Sequence, residues 1–321
     1  MRRGSLEFWP HRRAKRPMPR IRHWPALSEP ALLGFVGFKA GMTHVMQIDD
    51  TNSASKGTEV AEPVTIIETP KVYVYGVRFY AKDPVTRYTR VAEEVYDKAL
   101  AQNIGIKKTN TESIESAKSK IESFSNLSLL AYVSPMGIGF GTKKLMRFEI
   151  GLGGTKQEKL ALAEKTIGKE IKAADVFKPG EYVDIIGISK GKGWEGPVAR
   201  FGVAKQRRKT TGKVRHVGTL GPFHPPKVLY SVPMAGHKGH NYRTELNKRI
   251  MKIGAQSSTA EIEVKGGFPH YGTVKNDYII VHGSVPGAPG ILLRLRKSLR
   301  PTKKGPEPKI RSISLSSKIG A

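Results

Sequence analysis

The sequence predicts a small β-barrel that carries an α/β insertion and long, irregular basic extensions. Short runs rich in Val, Ile, Tyr and Phe, separated by glycine and proline corners, occur on both sides of the middle of the chain. The formal net charge of +28 is concentrated in residues 1–28, 196–244 and 294–321, and the remaining residues are nearly neutral. These observations indicate a globular body, long enough for an apolar core, with three basic segments attached.

The strand signals begin at Leu32. Two apolar runs around Lys39-Ala40-Gly41 predict a β-hairpin, and PVTIIET and KVYVYGVRFYA predict two further strands that meet at Thr69-Pro70. Later, DVFKPGEYVDIIGISKGKG predicts a turn at Pro179-Gly180 and a strand through Ile188. TELNKRIMKIG has the spacing of a short helix, and GTVKNDYIIVHGSVPGAPGILLRLR predicts two closing strands.

Between these strands lies a segment of mixed pattern. Residues 90–125 have apolar residues at helical spacing, and LSLLAYV and KKLMRFEIGL have strand composition. Thr155 with Glu158 forms a capping box that predicts a helix ending at Gly168. The predicted organisation is a basic N-terminal extension at 1–30, a barrel from 31–89, 174–199 and 244–296, an α/β insertion at 90–173, a basic central loop at 200–243 and a basic tail at 297–321.

The central basic segment cannot neutralise its own charge. Between Glu195 and Glu245 there are ten Lys or Arg and four His but no acidic residue, and Gly and Pro recur too often for a long helix or central strand. We therefore expect a polyanionic partner. Aromatic side chains among the cations favour RNA over DNA, because both stacking and phosphate contacts are then available.

Composition also excludes several classes of protein. None of the basic segments has the apolar helical face of a membrane-surface helix, and no run of about eighteen apolar residues exists, so we expect no membrane partner. The N-terminus lacks the apolar core of a secretory signal, and the absence of cysteine excludes disulfides and fits a reducing, cytosolic compartment.

Three motifs have alternative interpretations that involve chemistry. Gly191 to Gly196 matches G-x-G-x-x-G, but Pro197 and a basic run follow and the next acid is Glu245, so we interpret it as a tight turn rather than a dinucleotide site. Within that turn, Trp194 is either a core residue or a base-stacking residue. The pair His237 and His240 lacks further metal ligands, and Ser231 with His224 lacks an acid partner. We expect no catalytic residue, metal, cofactor or small-molecule substrate.

The N-terminal extension combines two tryptophans with an arginine cluster. Its composition predicts no independent fold, and one alternative is a flexible solubilising tail. Trp9 and Trp24 favour the other interpretation, because indole and guanidinium planes both stack on bases.

Four distinctive blocks occur along the sequence: GFVGFKAGMTHV, VDIIGISKGKGWEGPVARFG, LGPFHPP and GHNYRTELNKRIMKIG, in that order. Together they resemble the archaeal ribosomal protein L3 (uL3) family, and the resemblance covers essentially the whole chain. It implies a translation-protein-type six-stranded β-barrel with an α/β insertion. It also implies a cytoplasmic, structural role in the large ribosomal subunit, with large-subunit rRNA and other large-subunit proteins as partners and a part in early subunit assembly.

The resemblance also implies that the central loop approaches the peptidyl transferase centre, where it influences A-site tRNA. The family commonly has tryptophan at the loop tip, where this chain has Phe223 beside His224. Phenylalanine keeps an aromatic face but lacks the indole N–H donor. Two alternatives to the ribosomal role are an RNA-modifying enzyme and a DNA-packaging protein, and neither has a supporting motif.

The residues predicted to bind rRNA combine the basic and aromatic positions of these segments. They are Trp9, His11, Arg12, Arg13, Arg16, Arg20, Arg22, Trp24, Lys190, Lys192, Trp194, Arg200, Lys205, Arg207, Arg208, Lys209, Lys213, Arg215, His216, Phe223, His224, Lys227, His237, Lys238, His240, Tyr242 and Arg243.

Overall fold

The computed structural model describes residues 5–84, 88–106, 114–138, 141–300 and 305–317. Its strands are β1 (Gly34–Ile48), β2 (Glu59–Glu68), β3 (Val72–Lys82), β4 (Thr89–Tyr96), β5 (Asn126–Val133), β6 (Met146–Gly151), β7 (Glu170–Ile171), β8 (Tyr182–Ile188), β9 (Trp194–Glu195), β10 (Gly236–His237), β11 (Tyr242–Gly254), β12 (Tyr278–His282), β13 (Leu292–Lys297) and β14 (Ile310–Ile313). The helices are α1 (Lys98–Asn103), α2 (Ile114–Ser119), α3 (Lys156–Thr166) and α4 (Pro197–Phe201). The protein is mostly β-sheet with few helices, a β-rich α/β fold.

The larger sheet has seven strands in the order β13-β8-β11-β12-β2-β1-β14, and β13 also pairs with β1. All the pairings are antiparallel. Because β13 pairs with both β8 and β1, six of the strands (β13, β8, β11, β12, β2 and β1) form a closed series of pairings, and β1 pairs with β14 as well. Among the strands that the structure describes, β14 pairs only with the C-terminal half of β1.

The second sheet has the order β4-β3-β5-β6, with β7 paired to β3. One buried apolar cluster joins the two sheets, because Phe35 and Leu295 of the larger sheet belong to the same cluster as Phe79 and Leu129 of the second. The capping box of α3 is present as predicted: the Thr155 side chain accepts from the Glu158 amide, and the Glu158 carboxylate accepts from the Thr155 amide. The predicted strands at β5 and β6 are likewise confirmed.

The hairpin predicted at Lys39-Ala40-Gly41 is wrong, because β1 runs through these residues without turning. The register of β1 against β2 shifts between Lys39 and Gly41, so the break in the apolar pattern marks a β-bulge. The Lys39 ammonium is buried and donates to the carbonyls of Val285 (2.8 Å) and Gly287 (3.2 Å). A charged residue in an apolar run therefore marks a satisfied interior position rather than a turn.

The short helix predicted over TELNKRIMKIG is also wrong, since these residues form most of β11. This strand lies between β8 and β12, and its register against β8 shifts between Glu245 and Lys248. Asn247, within that shift, has φ +52°. The bulge changes which residues face inward, and it thereby produces a spacing that imitates a helix.

The predicted barrel segment 31–89 contains β1, β2 and β3, and of these β3 pairs with β4, β5 and β7 in the second sheet. The helical spacing predicted over 90–125 is only partly confirmed. Its first residues form β4, and short helices appear at α1 and α2. Residues 107–113 lie outside the described part of the chain. The local pattern misleads because antiparallel pairing with the preceding strand β3, not helical propensity, determines the structure of residues 89–96.

Among the described residues, no helix is long and apolar enough to cross a membrane. The basic tail predicted at 297–321 contributes β14 to the edge of the larger sheet, and residues 301–304 and 318–321 lie outside the described part.

Candidate nucleic-acid interface

The central loop leaves the body through a two-stranded stem, which we define as residues 189–195 and 236–241. The amide of Ser189 donates to Asn241 O (2.9 Å), Lys192 N donates to Lys238 O (2.9 Å), and Lys238 N donates to Gly193 O (2.9 Å). The short pair β9–β10 continues this ladder. The stem extends the β8–β11 pairing, so both ends of the loop are held by the larger sheet.

The stem is closely packed at Gly239. This residue has φ +77°, and a Cβ atom there would lie 1.9 Å from the carbonyl oxygen of Lys190. Only glycine combines this backbone conformation with such a close approach of the opposite strand. The sequence G-H-K-G-H therefore contains a structural glycine that fixes the positions of the flanking His and Lys residues.

The helix α4 closes the end of the stem. The Arg200 guanidinium donates to the carbonyls of Met234 (2.8 Å) and His237 (3.0 Å), and it lies 4.8 Å from the centre of the Phe201 ring. The Lys238 ammonium donates to the Ala199 carbonyl. Two of the predicted RNA-binding cations are thus held in place by backbone carbonyls, and burial lowers the pKa of Arg200.

The N-terminal extension lies across the stem. Ala14 N donates to His240 O (2.8 Å), the Asn241 side-chain amide donates to Arg12 O (2.9 Å), and the Tyr242 hydroxyl donates to Arg16 O (3.3 Å). The described part of the extension is therefore docked on the body, in contrast to the flexible-tail alternative.

Both tryptophans of the extension have partners within the chain. Trp9 stacks on Phe201, with ring centroids 5.2 Å apart and an interplanar angle of 11°. Trp24 is half-buried against Gly34 and Gly151, where a Cβ atom would come within 2.7 Å or 2.5 Å of its ring. Trp24 thus contributes to the packing of the extension on the two sheets. The sequence contains no local signal for these partners, because they lie far away along the chain.

The interior of the stem region disfavours further positive charge. The pKa of His11 is lowered below 6.5, first by burial and then by Arg200, Arg243 and His237. The pKa of His237 is lowered as well, first by burial and then by the neighbouring Arg and His residues. Both imidazoles therefore favour the neutral form in the free protein.

The central loop itself is open to solvent. Residues 202–235 contain no helix or strand, as the composition predicts. The Phe223 side chain is 88% exposed and contacts His224 edge-on, with centroids 4.9 Å apart. The exposed loop cations are Lys205, Arg207, Arg208, Lys209, Lys213, Arg215 and Lys227, and His216 is half-buried.

The described carboxylates do not neutralise this surface. No salt bridge between described residues involves a Lys or Arg of 200–243. Trp194 at the stem is 78% exposed, so of its two alternatives the core position is wrong. No group of three or more His, Asp, Glu or Cys residues suited to a metal occurs within the described ranges.

A family model described as ribosomal protein L3 matches residues 1–320. The chain belongs to the ribosomal protein L3 family. Curated relatives named large ribosomal subunit protein uL3 are similar over nearly the whole chain. The protein of Methanothermobacter thermautotrophicus is 40% identical over 99% of this chain and 98% of its own length. Those of Methanopyrus kandleri and Methanocaldococcus jannaschii are each 42% identical over 99% of this chain, and over 91% and 97% of their own lengths.

In this member of the L3 family, the predicted site residues fall into three groups. The first surrounds the stem and comprises Trp9, His11, Arg12, Arg13, Arg16, Lys190, Lys192, Trp194, Arg200, His237, Lys238, His240, Tyr242 and Arg243. The second comprises the loop residues given above. The third, Arg20, Arg22 and Trp24, lies where the extension approaches β1 and β6.

Two residues with a structural part at the stem, Phe201 and Asn241, were missed from the sequence. Phe201 stacks on Trp9, and the loop residue Tyr230 adds an edge-on contact to Trp9 at 6.3 Å. Asn241 is buried and joins the extension to the stem. An asparagine between basic and aromatic residues was the available signal, since a buried amide must find partners.

Proposed function

We propose that the chain is a structural constituent of the large ribosomal subunit that binds large-subunit rRNA. The observation that carries this proposal is the continuous arrangement of docked extension, stem and open loop, whose cations have no carboxylate partners among the described residues. Membership of the L3 family and the printed names of the relatives support the assignment to the large subunit.

The physical basis of binding is the release of counterions by phosphate contacts, with additional stacking. For each phosphate that a cation neutralises, the slope of log affinity against log salt concentration becomes more negative by roughly 0.7 to 0.9. The exposed rings of Trp194, Phe223 and Tyr230 offer stacking faces for unpaired bases. The body, whose acids and bases largely balance, acts as the anchor.

We further propose that the six strands of this closed series of pairings form a β-barrel of the translation-protein type, with the second sheet as its α/β insertion. The closed sequence of pairings through β13 supports this architecture. A closed barrel resists shear, and it would hold the β8–β11 stem in a defined direction while the loop follows the shape of the RNA.

The loop tip, Phe223 and His224, is proposed to approach the peptidyl transferase centre and to influence A-site tRNA. Phe223 can stack or wedge but cannot donate a hydrogen bond, so the tip acts through its aromatic face. Peptide-bond chemistry belongs to the RNA, and the protein is not an enzyme. Its other partners are neighbouring large-subunit proteins, its location is the cytoplasmic ribosome, and it acts early in subunit assembly.

Sedimentation of native extract tests this function against the alternatives of an RNA-modifying enzyme and a DNA-packaging protein. We expect the chain to migrate with the large subunit and to dissociate only at high salt. Recovery of the chain in a free fraction or with DNA would refute the proposal. In a second experiment, the purified chain should bind a large-subunit rRNA fragment with an affinity that falls steeply with salt.

A further inference from the structure

A basic hollow lies at the side of the stem, and we call it the stem pocket. Its concave shape and its purely basic charged lining distinguish it from an ordinary charged surface exposed to solvent. Its volume is about 400 Å³, and it lies between the stem and the N-terminal extension. Its charged walls are Lys190, Lys192, Arg200, Lys238 and Arg243, and no acidic residue lines it. Five like charges around one concavity repel one another unless an anion occupies it.

Three of the five charged walls of the stem pocket, Arg200, Lys238 and Arg243, are held in place before any ligand arrives. Arg200 and Lys238 donate to backbone carbonyls, and the Arg243 guanidinium lies 4.6 Å from the centre of the Phe8 ring and donates to Tyr242 O (2.9 Å). The tight approach at Gly239 keeps the two strands of the stem together. These three cations therefore lose little conformational entropy on binding a ligand, whereas the loop cations, which lack such contacts among the described residues, must all first be ordered.

Two lysines remain available for a ligand. Lys190 and Lys192 are exposed, and their ammonium groups make no hydrogen bond or ion pair with any residue that the structure describes. The lowered pKa of His11, caused by burial and then by Arg200 and Arg243, reports the positive potential of the same region. The pKa of Lys39 is lowered too, first by burial and then by Lys190.

We propose that the stem pocket is a preformed site for a phosphate group of an RNA backbone, held by Lys190 and Lys192 against the fixed cations. This inference rests on the proposed function and deepens it. A second basic hollow, lined by Arg13, Lys15, Arg16 and His240, lies on the extension nearby. Adjacent hollows of this kind suit a polymer that carries an anion at every unit, which favours RNA over a free phosphate ion as the source.

The test compares two matched double variants of the full-length chain. Lys190→Gln with Lys192→Gln removes two exposed charges at the stem pocket, and Lys205→Gln with Lys213→Gln removes two exposed charges from the loop. We expect the pocket variant to bind an rRNA fragment at least about tenfold more weakly than the loop variant, because charged hydrogen bonds in a fixed site are the stronger ones. Equal losses would overturn the pocket, while failure of the unmodified chain to bind would overturn the proposed function.

Acetylation of lysine amines in the unmodified chain identifies the ligand chemistry. The probes are inorganic phosphate, a single-stranded oligouridylate and hexaglutamate, and the readout is the reactivity of Lys190 and Lys192 relative to Lys205. Protection by the oligouridylate at a concentration well below that of inorganic phosphate supports an RNA source. Protection by phosphate at equal or lower concentration would overturn the RNA source, and equal protection by hexaglutamate, or none by any probe, would overturn the site.

Discussion

Asp184→Asn should destabilise the fold strongly, because it removes the negative charge from a buried ion pair below the stem. Asp184 is fully buried and Arg296 is 7% exposed. One Asp184 carboxylate oxygen accepts from Nε (3.1 Å) and Nη2 (3.0 Å) of Arg296 and from the Leu299 amide (3.2 Å), and the other accepts from the Asn247 amide (3.0 Å). The same arginine donates to His23 O (2.7 Å), so the pair also holds the N-terminal extension.

The size of the loss in stability is set by the Arg296 guanidinium, which would remain buried without a negatively charged partner. Breaking one side of a buried pair costs about 3–5 kcal/mol, and asparagine retains one oxygen acceptor, so the lower end of that range applies. At about 2.1 cal/mol/K of unfolding entropy per residue, each kcal/mol lowers Tm by roughly 1.5 °C in a chain of this size, and we expect a fall of roughly 4–5 °C.

The control is Glu59→Gln, which neutralises the carboxylate of the exposed pair between Glu59 and Arg311. Its side chains are 43% and 64% exposed, and such pairs contribute at most about 1 kcal/mol. Thermal and urea unfolding of RNA-free protein measure both variants. If Asp184→Asn shifted the transition no more than Glu59→Gln does, the argument from burial would be refuted.

Three other perturbations concern the extension, the stem and the loop tip. The pKa of His11 is lowered, chiefly by burial, so the folded protein favours the neutral imidazole. This preference stabilises the docked extension at pH values above the ordinary pKa of 6.5, and the stabilisation is lost as the pH falls through the lowered pKa. Amide exchange at Ala14, corrected for intrinsic rates, should therefore accelerate in acid, and constant protection would contradict the burial of His11. Gly239→Ala should disrupt the stem. Its control, Gly202→Ala, is also at positive φ but has no neighbour within 4 Å, and it should lower the free energy of unfolding in urea by only about 1–2 kcal/mol. Equal losses of stability in the two variants would disprove the close approach at Gly239. Phe223→Ala should change stability by less than about 0.5 kcal/mol because the ring is 88% exposed, and should alter peptidyl-transfer or tRNA-selection kinetics; unchanged kinetics would argue against a functional tip.

Local sequence rules predicted the elements whose signals are themselves local. The capping box at Thr155 and the turn at Pro179-Gly180 depend on residues within a few positions of each other. The errors arose where pairing with another strand overrides the local pattern. Neither the bulge at Ala40 nor the bulge near Asn247 can be distinguished from a turn or a helix without knowing the neighbouring strand.

The candidate site likewise contains features that the sequence predicted and features that depend on distant contacts. The charge pattern predicted the central loop as a binding segment, because the absence of acidic residues over a long segment is visible in the sequence alone. Charge did not distinguish cations that are already bonded, such as Arg200 and Lys238, from cations that remain available, such as Lys190. Nor could it show that Trp9 packs on Phe201, because that contact forms only when the extension folds back over the stem.

The stem has a consequence for how this protein can change during evolution. Because hydrogen bonds from Ser189 to Gly193 fix where both ends of the loop leave the sheet, insertions beyond them leave the strand register unchanged. Doubling the length of a flexible loop costs only about 0.6 kcal/mol of closure entropy. The reach of the loop can therefore lengthen or shorten with the RNA it meets, while substitutions at Gly239 remain forbidden.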